Sequence, residues 1–565
     1  MPPIRSWYAA ALISATLGGA SLLAFRPAPP AVAPALVLVV VVDQMRGDYL
    51  QRWQGQWKGG FARLLGKGAV FPNGFQDHAI TSTAPGHATI LSGRHPVRTG
   101  IYDNQHGVGD STAPLIVGAA GPGASPSRFR GTTLVDWLSQ RDPSIRILSV
   151  AGKDRSAILP VGRGQASVFW ARNGLLTTST YYADSLPTWV TEWNGRGGAA
   201  RLAGRSWTLL LPDSAYPEPD DVEGEDRPGR RVFPHTLPGD PDKAAAQASG
   251  TPWADSLLLD AALTGARAMG IGRRDQPDVL VLGLSATDYI GHQFGPDSRE
   301  VHDQLLRLDR WLGWFLDSLE TSVPADRTIV VLTGDHGVTP IPEVAQARGE
   351  DAGRVSLALL VADVNQRLGI SSNDPTALTE HEGLVTGSPG WLRERGVNPE
   401  SLATALLAAV WRQPGVKDAW TPATLRGAVP GSRDAARWSH TIPVGVAALG
   451  SPPGAGQPRQ PPGPEPPSHA PRSGATAGAE GDIAWFVAAS PRPGWVWGGT
   501  AGHADHGTTN DDDAGVPIAF LGPGIRTGIF ADTVRTVDIA PTLAHLLRVP
   551  VPGKIDGRRI KRVPS

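Results

Sequence analysis

Three aspartates, two of them followed closely by a histidine, are the residues of this chain best suited to chemistry. Asp43 closes the run ALVLVVVVD (35–43), Asp288 and His292 bound DYIGH (288–292), and Asp335 stands beside His336 in GDHG (334–337). Carboxylate and imidazole are donors that suit zinc or manganese, and the chain has no cysteine to offer instead. Two further imidazoles, His503 and His506, lie in GTAGHADHGTTNDDDAGVP (499–517). One of them would complete an Asp/Asp/His and an Asp/His/His site, and two ions roughly 4 Å apart would clamp the attacking and leaving oxygens of an in-line displacement. ITSTAPGHATILSG (80–93) offers a nucleophile: Thr83 stands two residues before Pro85, a residue favoured in the first helical turn, so its hydroxyl would lie at the positive end of a helix. Such a hydroxyl is a poor nucleophile until a metal or base lowers its pKa. Alone, Thr-x-Pro is an ordinary helix cap and each aspartate an ordinary strand-end turn. Their number is what points to a site.

The elements that must position these groups are legible as apolar runs. Residues 35–43, DVLVLGLSATD (278–288) and TIVVLTGDHG (328–337) are β-rich strands that each deliver an aspartate at or just past the carboxyl end. SREVHDQLLRLDRWLGWFLDSLE (298–320) has helical spacing, so strand, helix and strand form a βαβ unit with a parallel sheet. VPIAFLG (516–522) and TVDIAPTLAHLLRV (536–549) continue the α/β pattern. Ligands of such sheets bind outside the carboxyl ends of the strands. The expectation is a single α/β domain over 35–565, a large, mainly parallel central sheet flanked by helices, with a cap-like insertion at 160–250 and a disordered Pro/Gly-rich loop at 450–482.

Composition narrows the function. Lysine and arginine number 52 against 53 acidic residues, with no block of like charge, which argues against a nucleic-acid partner or a polybasic membrane surface. Residues 1–34 carry Arg5, an apolar stretch and a Pro/Ala segment, the pattern of a signal peptide or amino-terminal anchor, so an exported protein, periplasmic or extracellular, is expected.

The segments VVVDQM, TSTAPGHATILSGRHP, GIYDN, TDYIGH, TGDHG and HGTTNDDDAGVP, in this order and spacing, resemble the alkaline phosphatase superfamily, in its branch of nucleotide pyrophosphatase/phosphodiesterases and phosphate-irrepressible alkaline phosphatases. The resemblance implies an alkaline-phosphatase-like fold and a two-zinc site, with manganese or cobalt as possible substitutes. It implies that Thr83 is phosphorylated in turnover, that Asp43, Asp335 and His336 hold the zinc that also binds Thr83, and that Asp288, His292 and His506 hold the other. It selects His506 over His503, and gives Asn104 the role of a donor to a phosphoryl oxygen.

SVAGKDRSAI (149–158) bears on the substrate. Lys153 and Arg155, two apart, would leave the same side of an extended segment. Two cations on one phosphoryl group favour a monoester dianion over a diester, and the pair resembles that of the phosphate-irrepressible alkaline phosphatases. The expected activity is hydrolysis of small phosphate monoesters, with a phosphodiesterase or nucleotide pyrophosphatase using the same metals as the alternative. A binding protein that has lost turnover is the non-catalytic alternative. The acidic NDDD (510–513) lacks EF-hand spacing and reads as a solvated loop.

Overall fold

The computed structural model describes residues 33–564 apart from 117–122, 227–229, 372–373, 375–376 and 445–482. Residues 1–32 of the expected signal segment and the whole of the 450–482 loop therefore lie outside the described residues. Among the described residues no helix is long and apolar enough to cross a membrane.

In chain order the strands of the two larger sheets are β1 (Leu36–Val42), β2 (Ala69–Phe71), β3 (Ile147–Ala151), β4 (Ser167–Arg172), β5 (Leu175–Thr177), β6 (Asp278–Leu284), β7 (Thr328–Gly334), β8 (Thr379–His381), β9 (Leu384–Gly387), β10 (Val416–Trp420), β11 (Ala484–Pro491), β12 (Ile518–Leu521) and β13 (Gly528–Ile529). Nine of them build the central sheet in the order β13-β2-β12-β7-β1-β6-β3-β4-β5. Its centre, β7-β1-β6-β3-β4, is parallel, while β12 runs antiparallel to both β7 and β2, and β5 antiparallel to β4. The sheet is thus mixed but mostly parallel. Every residue of β1 is buried, with alternate side chains feeding two cores. Val37, Val39 and Val41 pack with Ile90, Leu91 and Leu543 on one face. Leu36, Leu38, Val40 and Val42 pack with Leu259, Leu308 and Phe315 on the other. Each such side chain contributes about 1.5–3 kcal/mol, so the strand that ends at Asp43 is held from both sides.

The helices that matter here are α1 (Gly60–Lys67), α2 (Thr83–Ile90), α3 (Asp154–Ile158), α4 (Trp253–Met269), α5 (Ala286–Phe294), α6 (Arg299–Glu320), α7 (Pro399–Val410) and α8 (Ile539–Leu546). Ser298 caps α6, its side chain accepting from the Val301 amide. The described residues of 160–250 have two parts: β4 and β5 extend the central sheet at its edge, while the rest packs on α4, where Trp193 Nε1 donates to Asp260, and on α6, where Trp207 meets Asp303 and His235 meets Glu300.

A second sheet, unforeseen in the sequence, is built by four strands in the order β8-β9-β11-β10. One face covers a small core with Val385, Leu406 of α7, Val410 and Val487. The other docks through Leu384, Trp485 and Ala488 onto Ala79, Ile80 and Tyr102, which flank α2 in the chain.

Candidate active site

The register of the sheet gathers the three aspartates. Val42 of β1 pairs with Gly334 of β7 on one side and Leu284 of β6 on the other, so the three strands end level. Asp43 and Asp335 are the next residues of their strands, and Asp288 stands in the first turn of α5. On the far side of β6, Ala151 of β3 pairs with Gly283, which brings Lys153 to the same rim. Asp43, Asp335 and His336 form one group of potential ligand atoms and Asp288, His292 and His506 a second, each with its donor atoms within 4.8 Å of one another. His503 stands apart, lining a neighbouring cavity of about 550 Å³ with Tyr289, Gln293, Arg230 and His235.

The donor chemistry of both groups fits a divalent metal. All three imidazoles have Nδ1 against a backbone carbonyl: His336 on Gly337 at 2.9 Å, His292 on Ala504 at 2.8 Å and His506 on Thr81 at 3.0 Å. That bond fixes the tautomer, turns Nε2 inward as the donor and is the usual outer support of a metal-bound histidine. His336 Nε2 faces Asp43 Oδ1 at 3.4 Å, and neither atom forms a hydrogen bond. His292 Nε2 lies 3.3 Å from Asp288 Oδ1. These spacings approach the ~3.3–3.6 Å between two donors that are roughly 2.0–2.2 Å from one tetrahedral ion.

The field at this rim demands positive charge. Burial lowers an imidazole pKa, yet Asp335 and Asp43 lift His336 to about 10, and Asp288 lifts His292 to about 9. Burial and the charges of His336 and His292 push His506 well down. Asp288 falls well below the usual carboxylate range because Lys153 and His292 outweigh its burial. The Lys153 ammonium supplies the cation, 2.7 Å from Asp43 Oδ2 and 2.6 Å from Asp288 Oδ2.

Thr83 is the first residue of α2, 1 % exposed, and its Oγ1 accepts from Lys153 Nζ at 3.4 Å. Asn104 joins it: Asn104 Oδ1 accepts from the Ala84 amide at 2.8 Å, leaving the NH₂ end of the side chain as its free donor. Arg155 is reached by a different backbone path. Lys153 has extended dihedrals, but Asp154–Ile158 is helical, so the two cations do not leave one side of an extended segment; Arg155 stands in the first turn of α3, 3.8 Å from Asp154, and close enough to Lys153 and Tyr289 for its charge to act on both. The NDDD segment also departs from its expected solvated state. Asp513 is fully buried and accepts from Thr508 Oγ1 at 2.6 Å and Thr339 Oγ1 at 2.7 Å, tying the loop of His506 to the strand end of His336.

Two positioning residues were missed in the sequence although both lie inside quoted motifs. Gln44, in the left-handed region at φ 64°, gives its amide to Asp335 Oδ1 (3.1 Å) and its Nε2 to Asp288 Oδ1 (3.0 Å). His87 Nδ1 lies 2.9 Å from the Thr83 carbonyl and 3.0 Å from Asp335 Oδ2. A third group, Asp77, His95 and His440, also has ligand-like spacing. There Arg535 already pairs with Asp77 (3.3 Å) and His440 Nδ1 donates to the Asp77 carbonyl (2.7 Å), so the Asp77 charge is already met by an arginine.

Known proteins match this arrangement. Residues 37–371 fit the sequence profile of the family described as type I phosphodiesterase / nucleotide pyrophosphatase. The alkaline phosphatase PafA of Elizabethkingia meningoseptica is 29% identical over 558 residues, covering 94% of both chains. The alkaline phosphatase PhoK of Sphingomonas sp. is 30% identical over 553 residues, covering 94% of this chain and 91% of its own. The crystal structure of wild-type PafA superposes with a TM-score of 0.81 at 27% identity, over 94% of this chain and 99% of that one. With the mostly parallel sheet and its rim of Asp/His groups, these matches place the chain in the type I phosphodiesterase / nucleotide pyrophosphatase family of the alkaline phosphatase superfamily, as a hydrolase of phosphate esters.

Proposed function

We propose that the protein is an exported phosphomonoesterase that acts on small esters by way of a phosphothreonine at Thr83. The observation that carries this reading is the placement of Thr83 Oγ1 at the amino end of α2, beside Lys153 and at the rim where both ligand groups meet. Asp43, Asp335 and His336 would hold one divalent ion and Asp288, His292 and His506 a second, zinc by the resemblance; when bound, they supply Lewis acidity to the threonine hydroxyl and to the leaving oxygen. Thr83 Oγ1 attacks phosphorus, the bond to the ester oxygen breaks, and the alcohol leaves with a proton. Water then adds to phosphorus and the bond to Thr83 breaks, releasing inorganic phosphate. The Asn104 NH₂ group donates to a non-bridging oxygen, and the Lys153 and Arg155 charges favour a dianionic phosphoryl group. Export rests on the amino-terminal pattern of residues 1–34.

Replacing Thr83 with alanine should lower phosphate release at least about a thousandfold, since it removes the nucleophile. Metal content should stay at the parental level, because the six Asp and His ligands remain. Parental turnover in Thr83→Ala would sink the assignment. A diesterase remains the second reading, favoured by the cavity beside Tyr289 and His503, which has room for a second esterifying group.

A further inference from the structure

Glu382 occupies an improbable position. It forms, with Gly383, the two-residue turn between β8 and β9, and both residues have positive φ, 49° and 84°. A turn with two positive φ values favours Asn, Asp or Gly at its first position. The glutamate there adopts a conformation that L side chains avoid, and strain of this kind gathers at functional sites.

The side chain points into the molecule. Glu382 Oε2 accepts from Ser82 Oγ at 3.2 Å across 300 residues of sequence. Ser82 is the N-cap of α2, the residue before Thr83. A serine at this position ordinarily accepts a hydrogen bond from an amide of its own helix; here it makes no such bond, and its hydroxyl is turned to Glu382. The vacated role passes to Asn104, which takes the Ala84 amide. On its other side the carboxyl bears on Gly507, the residue after His506, so closely that a Cβ on Gly507 would lie 2.7 Å from Glu382 Oε1. The sheet behind the turn is anchored on both flanks of α2, through Leu384 and Trp485 against Ile80 and Tyr102.

We propose that Glu382 is a positioning residue for phosphoryl transfer, with which the second sheet sets the spacing between the Thr83 hydroxyl and the His506 imidazole. The proposal rests on Thr83 being the nucleophile. By fixing Ser82 it fixes where α2 begins, and by bearing on Gly507 it limits where His506 can stand. Displacements of about 1 Å at reacting groups cost on the order of a hundredfold in rate, and outer supports of metal ligands are worth about 10–100-fold.

The test uses the full-length, metal-loaded protein with p-nitrophenyl phosphate. Glu382→Ala should lower kcat about 10–100-fold with KM within about threefold of the parent, bound metal and unfolding midpoint being measured alongside. Glu382→Gln, whose carbonyl can still accept from Ser82 Oγ, should recover kcat to within about threefold of the parent. Ser82→Ala should also lower kcat, and the double variant Glu382→Ala/Ser82→Ala should be no slower than the worse single variant, since both remove one interaction. If Glu382→Ala does not fold, Glu382→Gln and Ser82→Ala still decide the matter. A kcat for Glu382→Ala or Ser82→Ala within twofold of the parent overturns the proposal, as does a glutamine variant as slow as alanine or a multiplicative double variant. Turnover persisting in Thr83→Ala would defeat the nucleophile reading instead; loss there with an unaffected Glu382→Ala defeats only this proposal.

Discussion

Lys153 has the position on which the choice of substrate class turns. Its ammonium bridges Asp43 and Asp288, the carboxylates of the two candidate metal groups, and reaches Thr83 Oγ1 as a third neighbour. Once those carboxylates are neutralised by divalent ions, Thr83 and whatever is attached to it remain as the partner of this cation. A monoester presents one negative charge more than a diester there, so Lys153→Ala should lower kcat/KM for p-nitrophenyl phosphate at least about a hundredfold, and that for bis-p-nitrophenyl phosphate by about tenfold or less. Arg155, partly exposed and paired with Asp154, should add less to the double variant than Lys153 does alone. Equal losses on the two esters would refute the monoesterase reading. At this scale Asp288 with His292 and Asp335 with His336 were readable as candidate ligands because each pair lies within four positions on one helix turn or strand end, whereas Asp43 was readable as the end of its strand and His506 only through the resemblance. Gln44, His87 and Glu382 were not readable, because what each does depends on a contact made across the fold, from Gln44 to Asp335 or from Glu382 to Ser82.

Elements are held in place here as much by polar side chains as by apolar faces, and α1 shows how. Its N-cap, Gly59, has no side chain to offer, and the free amides of the first turn are met by Asp309 on α6: Oδ2 accepts from Lys58 (2.6 Å) and Gly59 (2.8 Å), and Oδ1 from Phe61 (2.7 Å). A glycine is required at 59, because a Cβ there would lie 2.0 Å from the Asp309 carbonyl oxygen. Asp309→Ala leaves several amides unsatisfied and should cost about 3 kcal/mol in urea unfolding, with kcat/KM within twofold of the parent. A loss under about 1 kcal/mol would show that water replaces the aspartate. The strands β1, β6 and β7 and the helix α6 were legible because each is long and strongly patterned. The second sheet was not, since β8 (TEH) and β9 (LVTG) are only three and four residues long and show no period-2 alternation of apolar and polar side chains. The orientation of β12 was likewise unreadable: its apolar run is the same whether it pairs parallel or, as found, antiparallel with β7.

Over the whole molecule a net charge of −1 conceals acidic groups buried beneath the site, of which Asp255 on α4 is the clearest. It is fully buried, accepts from the Ala286 amide (3.0 Å) at the start of α5 and from Gln304 Nε2 (2.9 Å) on α6, and so ties three helices together. Burial raises its pKa from 3.8 to about 7, with the charge of Asp43 adding to the effect. Below pH 3.8 the group is neutral in folded and unfolded chains alike and costs nothing. Between there and pH 7 the folded protein retains a proton that the unfolded chain releases, so stability falls as pH rises, by about 1.4 kcal/mol per pH unit. Above pH 7 the whole cost is present, in the range where an alkaline phosphatase would work. Asparagine at 255 keeps the acceptor for Ala286, and the Gln304 amide, whose Oε1 has no partner, can turn to accept from its new NH₂ group. Asp255→Asn should therefore raise the free energy of unfolding by a few kcal/mol at pH 9 and by distinctly less at pH 5. Chemical denaturation at the two pH values checks this, and a gain that is equal at both, or a loss at pH 9, would mean that Asp255 is ionised and paired in the folded protein, with no raised pKa.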